Sequence, residues 1–162
     1  MNNNDRLTRL RYAMEFTNTE MVNIFELGGA SISKKDVKSL LEKTSDKKED
    51  DYSENTYELT CTNEMLERFL NGFITYERGK KDGPAPKLEL TDTNVNNLLL
   101  KRVKIALSLT SYDVLDIMDL ADLQISESEL SAVLRKEGHR NYKICGDRYI
   151  RNFLKGLAIS YR

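Results

Sequence analysis

The chain has 162 residues, enough for one compact domain or for two small subdomains that share a core. Its composition, 40% hydrophobic and 31% charged, is typical of globular chains, and the formal net charge of -1 gives no overall attraction to nucleic acid or to an anionic membrane. No apolar run approaches the roughly 20 residues that span a bilayer, and the N-terminal segment has no apolar signal region. We therefore expect a cytoplasmic protein with no membrane partner.

Three helices are predicted at the start of the chain. The first covers Asp5 to Phe16 and carries its apolar residues on one side. The second begins at Thr17, where Glu20 supplies an acid for the first helical turn, and ends near Leu27. The third is capped by Ser33, with an acid three residues on, and extends to about Lys43.

A fourth helix follows a polar loop. Residues 44–59 are dominated by charged and small polar side chains, which favours a solvated loop over an acidic binding loop. The helix itself lies within Cys61 to Arg78, where apolar residues recur at helical spacing. Residues 80–94 contain both prolines of the chain and are predicted to be a linker.

The second half of the chain repeats the first. Residues 4–41 match 97–134 without a gap, with about ten identical pairs, and residues 61–78 match 145–162. The predicted organisation is therefore repeat 1 over 3–79, linker 80–94 and repeat 2 over 95–162. Helices equivalent to the first four are predicted over Asn97 to Leu109, from Thr110 to about Leu120, from Ser126 to about Glu137, and within Cys145 to Arg162. The expected fold is all-α, with two four-helix repeats packed into one compact protein.

The closing helix of each repeat carries the pattern Phe-Leu-x-Gly. We interpret it as a helix-packing signature, formed by Phe69, Leu70 and Gly72 in repeat 1 and by Phe153, Leu154 and Gly156 in repeat 2. A glycine inside a helix costs about 1 kcal/mol relative to alanine. Its presence in both copies indicates that another helix backbone passes close by.

These patterns together resemble the bacterial YehS-like family, a tandemly duplicated domain of unknown function. The resemblance rests on Thr-x-x-[Glu/Asp] at the start of helix two, Ile-Ser-x-x-[Asp/Glu] at the start of helix three, and Cys-x7-Phe-Leu-x-Gly in helix four. Repeat 1 departs from it by its longer loop and by Thr62-Asn63 in place of Gly146-Asp147. The resemblance implies an all-α duplicated fold, and it supplies no activity, substrate or catalytic residue.

Residues capable of chemistry are few. Cys61 and Cys145 occupy equivalent positions, which indicates two buried thiols more than a disulfide. The single histidine, His139, lies in a loop near Cys145, but such a pair needs a base within hydrogen-bond reach and an orienting group. Metal-ligand spacings are missing from the sequence, and the regularly spaced Asp113, Asp116 and Asp119 are typical of a solvated helix face. We expect neither an enzyme nor a cofactor.

Charge is distributed unevenly. From Arg135 onward there are eight Lys and Arg residues against Glu137 and Asp147 only. On the last helix Arg148, Arg151 and Lys155 form a basic stripe that could contact phosphates. Helices two and three also have the outline of a helix-turn-helix, but the equivalent of a recognition helix starts Ser-Glu-Ser-Glu, which would repel phosphates. The favoured function is a non-enzymatic binding or scaffold module with a protein partner, and the alternative is a nucleic-acid-associated protein.

Overall fold

The computed structural model describes residues 1–44 and 53–162 and shows eight α-helices in those ranges. They are α1 (Asn3–Met14), α2 (Asn18–Leu27), α3 (Lys34–Leu41), α4 (Asn63–Arg78), α5 (Val95–Ala106), α6 (Ser111–Leu120), α7 (Glu127–Leu134) and α8 (Asp147–Tyr161). The described residues form no β-strand, and their one isolated bridge joins Lys43 to Tyr57. The predicted all-α fold is confirmed. Residues 45–52 of the predicted solvated loop lie outside the described residues.

The predicted caps are present in both repeats. Thr17 and Glu20 form a reciprocal capping box at the start of α2, and Thr110 and Asp113 form the same box at the start of α6. The side chains of Ser33 and Ser126 accept hydrogen bonds from the backbone amides of the acids three residues on. These local sequences therefore set the starts of four helices.

Several predicted helix ends were wrong. The first helix of each repeat begins two residues earlier than expected. It also ends two or three residues earlier, because Glu15 (φ 56) and Ser108 (φ 54) adopt the left-handed conformation after its C-terminus. The third helix stops at Leu41 and at Leu134, short of Lys43 and Glu137. In repeat 1 the chain turns extended at Glu42, since residues 42–44 form backbone hydrogen bonds with 56–58.

Four helices form the centre of the molecule, and they are paired across the repeats. The most extensive contacts of α1 are with α8, and those of α5 are with α4. In the α4–α5 pair, the side chain of Arg102 donates a hydrogen bond to the carboxylate of Glu67. Near the C-terminal ends of both helices, the side chain of Arg78 donates to the backbone carbonyl oxygen of Ile105. The paired helices thus run parallel. The first helix of each repeat packs against the closing helix of the other repeat.

The remaining helices flank this centre. α2 packs antiparallel on α4 and α6 on α8, while the short α3 and α7 lie against α2 and α6 and against the first helix of their own repeat. One hydrophobic cluster joins buried residues from both repeats, among them Leu10, Phe69, Leu99 and Phe153. Because this cluster is shared, neither repeat has a core of its own.

Candidate functional site

The closing helices α4 and α8 hold the six residues of the predicted packing signature. Phe69, Leu70, Phe153 and Leu154 are 2% exposed or less. A Cβ on Gly72 would overlap the carbonyl oxygen of Ile24 in α2, and one on Gly156 would overlap that of Ile117 in α6. Both glycines therefore lie where the backbone of the neighbouring antiparallel helix comes closest.

Two buried asparagines repeat one hydrogen-bond pattern, which sequence reasoning missed. Asn4 donates to the carbonyl oxygens of Leu40 and Leu59 and accepts from the amide of Cys61. Asn97 donates to the equivalent carbonyls of Val133 and Lys143 and accepts from the amide of Cys145. Each clamp ties the first helix to the end of the third helix and to the connector before the fourth. The sequence contained one indication of this pattern, because Asn4 and Asn97 are an identical pair in the repeat alignment.

The basic stripe of α8 lies on the surface. Arg148, Arg151 and Lys155 are all exposed, and none of them forms an ion pair with a described residue. Arg162 at the end of the helix differs, since it pairs with Glu15 at 3.5 Å and lies 4.0 Å above the ring of Tyr12. The three residues predicted to bind phosphates are thus accessible to a partner.

A groove borders this stripe on the side of α7. It has a volume of about 330 Å³, and Arg148 and Lys143 lie beside apolar side chains that include Leu123, Ile125 and Val133. Ile144, which also lines the groove, is 54% exposed. Glu129 of α7 also lines the groove, which therefore combines basic, acidic and apolar side chains.

The equivalent face of α4 is covered by the linker. The buried carboxylate of Glu67 accepts hydrogen bonds of 2.9 Å from the amides of Glu89 and Leu90. It also forms an ion pair of 2.8 Å with Arg102 of α5, whose second terminal nitrogen lies 3.2 Å from the carboxylate of Glu89. Glu67 and Arg102 thus hold linker residues Glu89 and Leu90 against the seam between α4 and α5.

A polar cleft lies at the N-terminal ends of α1 and α4 and is lined mostly by residues of repeat 1. It measures about 780 Å³ and is lined largely by polar side chains, including Asn3, Arg6 and Asn63. Arg6 is 6% exposed and donates to Asn3, to Asn96 and to Asp147. The contacts with Asn96 and Asp147 cross the boundary between the repeats, so the buried Arg6 side chain joins them.

Asp147 accepts hydrogen bonds from three groups, namely Arg6, Asn96 and the Met1 ammonium. Partial burial acts to raise its pKa, but the hydrogen bond from Asn96 and the charges of the Met1 ammonium and of Arg6 outweigh that effect and lower the pKa. The carboxylate is therefore firmly ionised at neutral pH and bound to groups of both repeats.

The thiols have the environment of core residues. Cys61 and Cys145 are free and buried, and burial raises the pKa of each to about 12. The Cys145 thiol donates to the carbonyl oxygen of Gly146, whereas exposed His139 accepts from the amide of Asn141. Neither thiol is activated as a nucleophile.

The acidic residues of α6 and α7 are exposed. Asp113 caps α6, and hydrogen bonds from the amide and the hydroxyl group of Thr110 lower its pKa. Asp116 and Asp119 lie on the same exposed side, and within residues 1–44 and 53–162 no group of three or more His, Cys, Asp or Glu could hold a metal ion. Glu127 and Glu129 occupy the first turn of α7, so this helix presents negative charge where a recognition helix would meet DNA.

None of the helices described has the length and apolar character needed to cross a membrane.

Comparison with known proteins agrees with this architecture. The family model "Protein of unknown function (DUF1456)" matches the chain twice, over residues 3–79 and 96–162. The curated "Uncharacterized protein YehS" of Escherichia coli (strain K12) is 35% identical over 158 residues, which cover 98% of this chain and 95% of that protein. No solved structure matches. The chain therefore belongs to the DUF1456 family of proteins of unknown function, and the twofold match shows its internal duplication.

Proposed function

We propose that this protein is a cytoplasmic, non-enzymatic binding module whose partner is a protein held on the exposed face of α8. The observation that carries the proposal is the groove between α7 and α8, where exposed Ile144 lies beside the basic Arg148 and Lys143. Protein interfaces combine an apolar centre with a polar rim, and Arg is enriched in them. The expected partner presents apolar side chains flanked by acids.

The placement of the other polar groups supports a binding role. Glu67 and Arg102 hold the linker, and Asn4 and Asn97 tie connectors to helices. The raised pKa values of the thiols at Cys61 and Cys145 favour packing over nucleophilic chemistry.

A charge-reversal experiment tests the proposal. Wild-type protein, the triple variant Arg148→Glu/Arg151→Glu/Lys155→Glu and the control Lys34→Glu/Lys35→Glu/Lys38→Glu are immobilised and exposed to nuclease-treated lysate of the source cells. The control reverses three exposed lysines of α3, so it matches the change in net charge. Any protein retained by wild type is then purified and titrated by calorimetry against all three.

The expected result is a purified partner that binds wild type and control alike and binds the α8 variant at least about tenfold more weakly, a change of 1.4 kcal/mol. Circular dichroism melts establish that the variants are folded. Equal binding to all three proteins, or retention that occurs only from lysate prepared without nuclease, would contradict the proposal.

A second candidate function is nucleic-acid association through the same stripe. Arg148, Arg151 and Lys155 are exposed on one helix face without an acid partner among the described residues, as phosphate contacts require. This candidate predicts binding to duplex DNA or RNA that weakens steeply with salt and that Arg151→Glu weakens further. A gel shift that is the same for wild type, Arg151→Glu and the control Lys38→Glu would eliminate it.

A further inference from the structure

The duplication makes two seams equivalent. α4 and α5 form one seam, α8 and α1 form the other, and in each a closing helix runs parallel to the first helix of the opposite repeat. By the repeat alignment Arg102 corresponds to Arg9, and Glu67 corresponds to Arg151. The position that holds a buried ion pair in one seam therefore carries two arginines in the other.

The helix contacts place Arg9 and Arg151 at the same level of their seam. Arg6 of α1 meets Asp147 of α8 at 3.3 Å. Arg9 lies three residues after Arg6, and Arg151 lies four residues after Asp147, so each is one helical turn further along two parallel helices. Both side chains are exposed. The two residues thus lie at one level of the two helices, and the charge of Arg9 also acts on the nearby hydroxyl group of Tyr57 by lowering its pKa against the larger effect of burial.

The neighbouring acids are already bound to other groups. Asp5, one turn before Arg9, accepts hydrogen bonds from the amide of Asn2 and from the side chains of Asn55 and Tyr57. Asp147 is bound to Arg6, to Asn96 and to the Met1 ammonium. Among the described residues, neither of these two carboxylates forms an ion pair with Arg9 or Arg151.

We propose that Arg9 and Arg151 form a carboxylate-binding site that takes a glutamate or aspartate side chain from an extended segment of a protein partner. This inference rests on the proposed function, because it identifies the chemistry that the partner brings to the α8 face. A carboxylate between two guanidinium groups removes their mutual repulsion and accepts charge-assisted hydrogen bonds from both.

The other seam shows the kind of segment that fits. There the linker lies against α4 and α5, with Leu90 buried and the Glu89 carboxylate 3.2 Å from Arg102. Arg9 is the counterpart of Arg102, so it is placed to bind an acid in the same way. In the first seam Glu67 accepts hydrogen bonds from backbone amides of the linker, but Arg151 at the equivalent position can only donate. A segment bound at this seam must therefore offer carboxylates, which accept hydrogen bonds, where the linker offers amides. An extended strand that alternates acidic and apolar residues meets both requirements.

The site is tested with a defined probe. An acetylated, amidated peptide of sequence Leu-Glu-Leu-Glu-Leu is titrated into isotopically labelled full-length protein, and the side-chain Nε–Hε resonances of the arginines are followed by NMR. The matched probe Leu-Gln-Leu-Gln-Leu removes the charge alone. The protein variants are Arg9→Gln and Arg151→Gln, with Lys38→Gln as the control.

The proposal predicts saturable shifts of the Arg9 and Arg151 resonances with the glutamate peptide, at least about tenfold weaker binding of the glutamine peptide, and a similar loss in either arginine variant but not in Lys38→Gln. Equal binding of both peptides, shifts confined to other residues, or displacement of the glutamate peptide by a lower concentration of the oligonucleotide d(T)8 would overturn it. If the triple variant of α8 loses a purified partner while Arg9→Gln retains it, the proposed function stands and this site does not.

Discussion

At the scale of single residues, two glycines set how closely the helices approach. Any side chain at Gly156 would overlap the carbonyl oxygen of Ile117, so the helices must separate to admit it. We expect Gly156→Ala to lower the free energy of unfolding by about 1–3 kcal/mol, as in other overpacked cores, and Gly156→Leu to lower it further. Urea denaturation followed by circular dichroism measures the change.

Gly146→Ala is the matched control, because a Cβ there has open space and the residue has φ -75. It should change stability little. If Gly156→Ala melts at the wild-type temperature, the close helix crossing does not constrain this position.

A second effect at this scale concerns the asparagine clamps. Truncation in Asn97→Ala leaves two carbonyl groups and the amide of Cys145 without their partner. Because an unpaired buried polar group costs about 1–3 kcal/mol, we expect a loss of stability of at least about 2 kcal/mol. The exposed Asn23→Ala in α2 is the control, and equal denaturation midpoints for the two variants would show that the clamp is dispensable.

At the scale of elements, the linker is held by a buried charge. Glu67→Ala would leave Arg102 without its closest acid and release the amides of Glu89 and Leu90. We expect a loss of about 3–5 kcal/mol, since removal of one partner of a buried ion pair leaves the other charge uncompensated.

The release of the linker can be measured directly. Limited trypsin digestion should cut Glu67→Ala faster after Lys87, as identified by mass spectrometry. The control is Glu64→Ala, which removes an exposed acid paired with Arg68 on the same helix. Equal cleavage rates at Lys87 in both variants would mean that Glu67 does not anchor the linker.

The elements themselves could be predicted largely from the sequence. Capping residues such as Thr17 and Ser126 specify helix starts through local hydrogen bonds, and the offset between the repeats identified equivalent residues. The ends of α3 and α7 were less predictable. For α3 the reason is that backbone hydrogen bonds formed by the residues after Leu41 override helical propensity.

The candidate site was predictable only in part. Helical spacing placed Arg148, Arg151 and Lys155 together on one face of α8. It could not show that α8 pairs with α1, since an apolar stripe does not specify which helix covers it. Without knowledge of that pairing, the sequence does not indicate that Arg9 and Arg151 lie at the same seam. It also does not reveal the hydrogen-bond partners of the buried residues Glu67, Arg6 and Asn97.

At the scale of the whole molecule, the exchanged pairing of first and closing helices predicts one cooperative unit. Each repeat carries one buried thiol, Cys61 or Cys145. In increasing urea, labelling of the two thiols, quantified separately by mass spectrometry, should follow a single shared midpoint that coincides with the loss of circular dichroism. Two separated midpoints would show that the repeats unfold independently and do not depend on their shared core.

The equivalence of the two seams is the claim on which the binding proposals depend, and it is tested most directly by a double-mutant cycle between Arg9 and Arg151. Arg151→Glu places an acid opposite Arg9, as Glu67 lies opposite Arg102. We expect a gain of about 0.2–1 kcal/mol, as for exposed ion pairs, and a rise in melting temperature of about 0.4–4 °C. In the Arg9→Gln background the gain should be smaller by that amount, because Arg148 and Lys155 act on the new acid equally in both backgrounds. An identical shift in both backgrounds would contradict the account, because it would mean that Arg9 and Arg151 do not face one another across the seam.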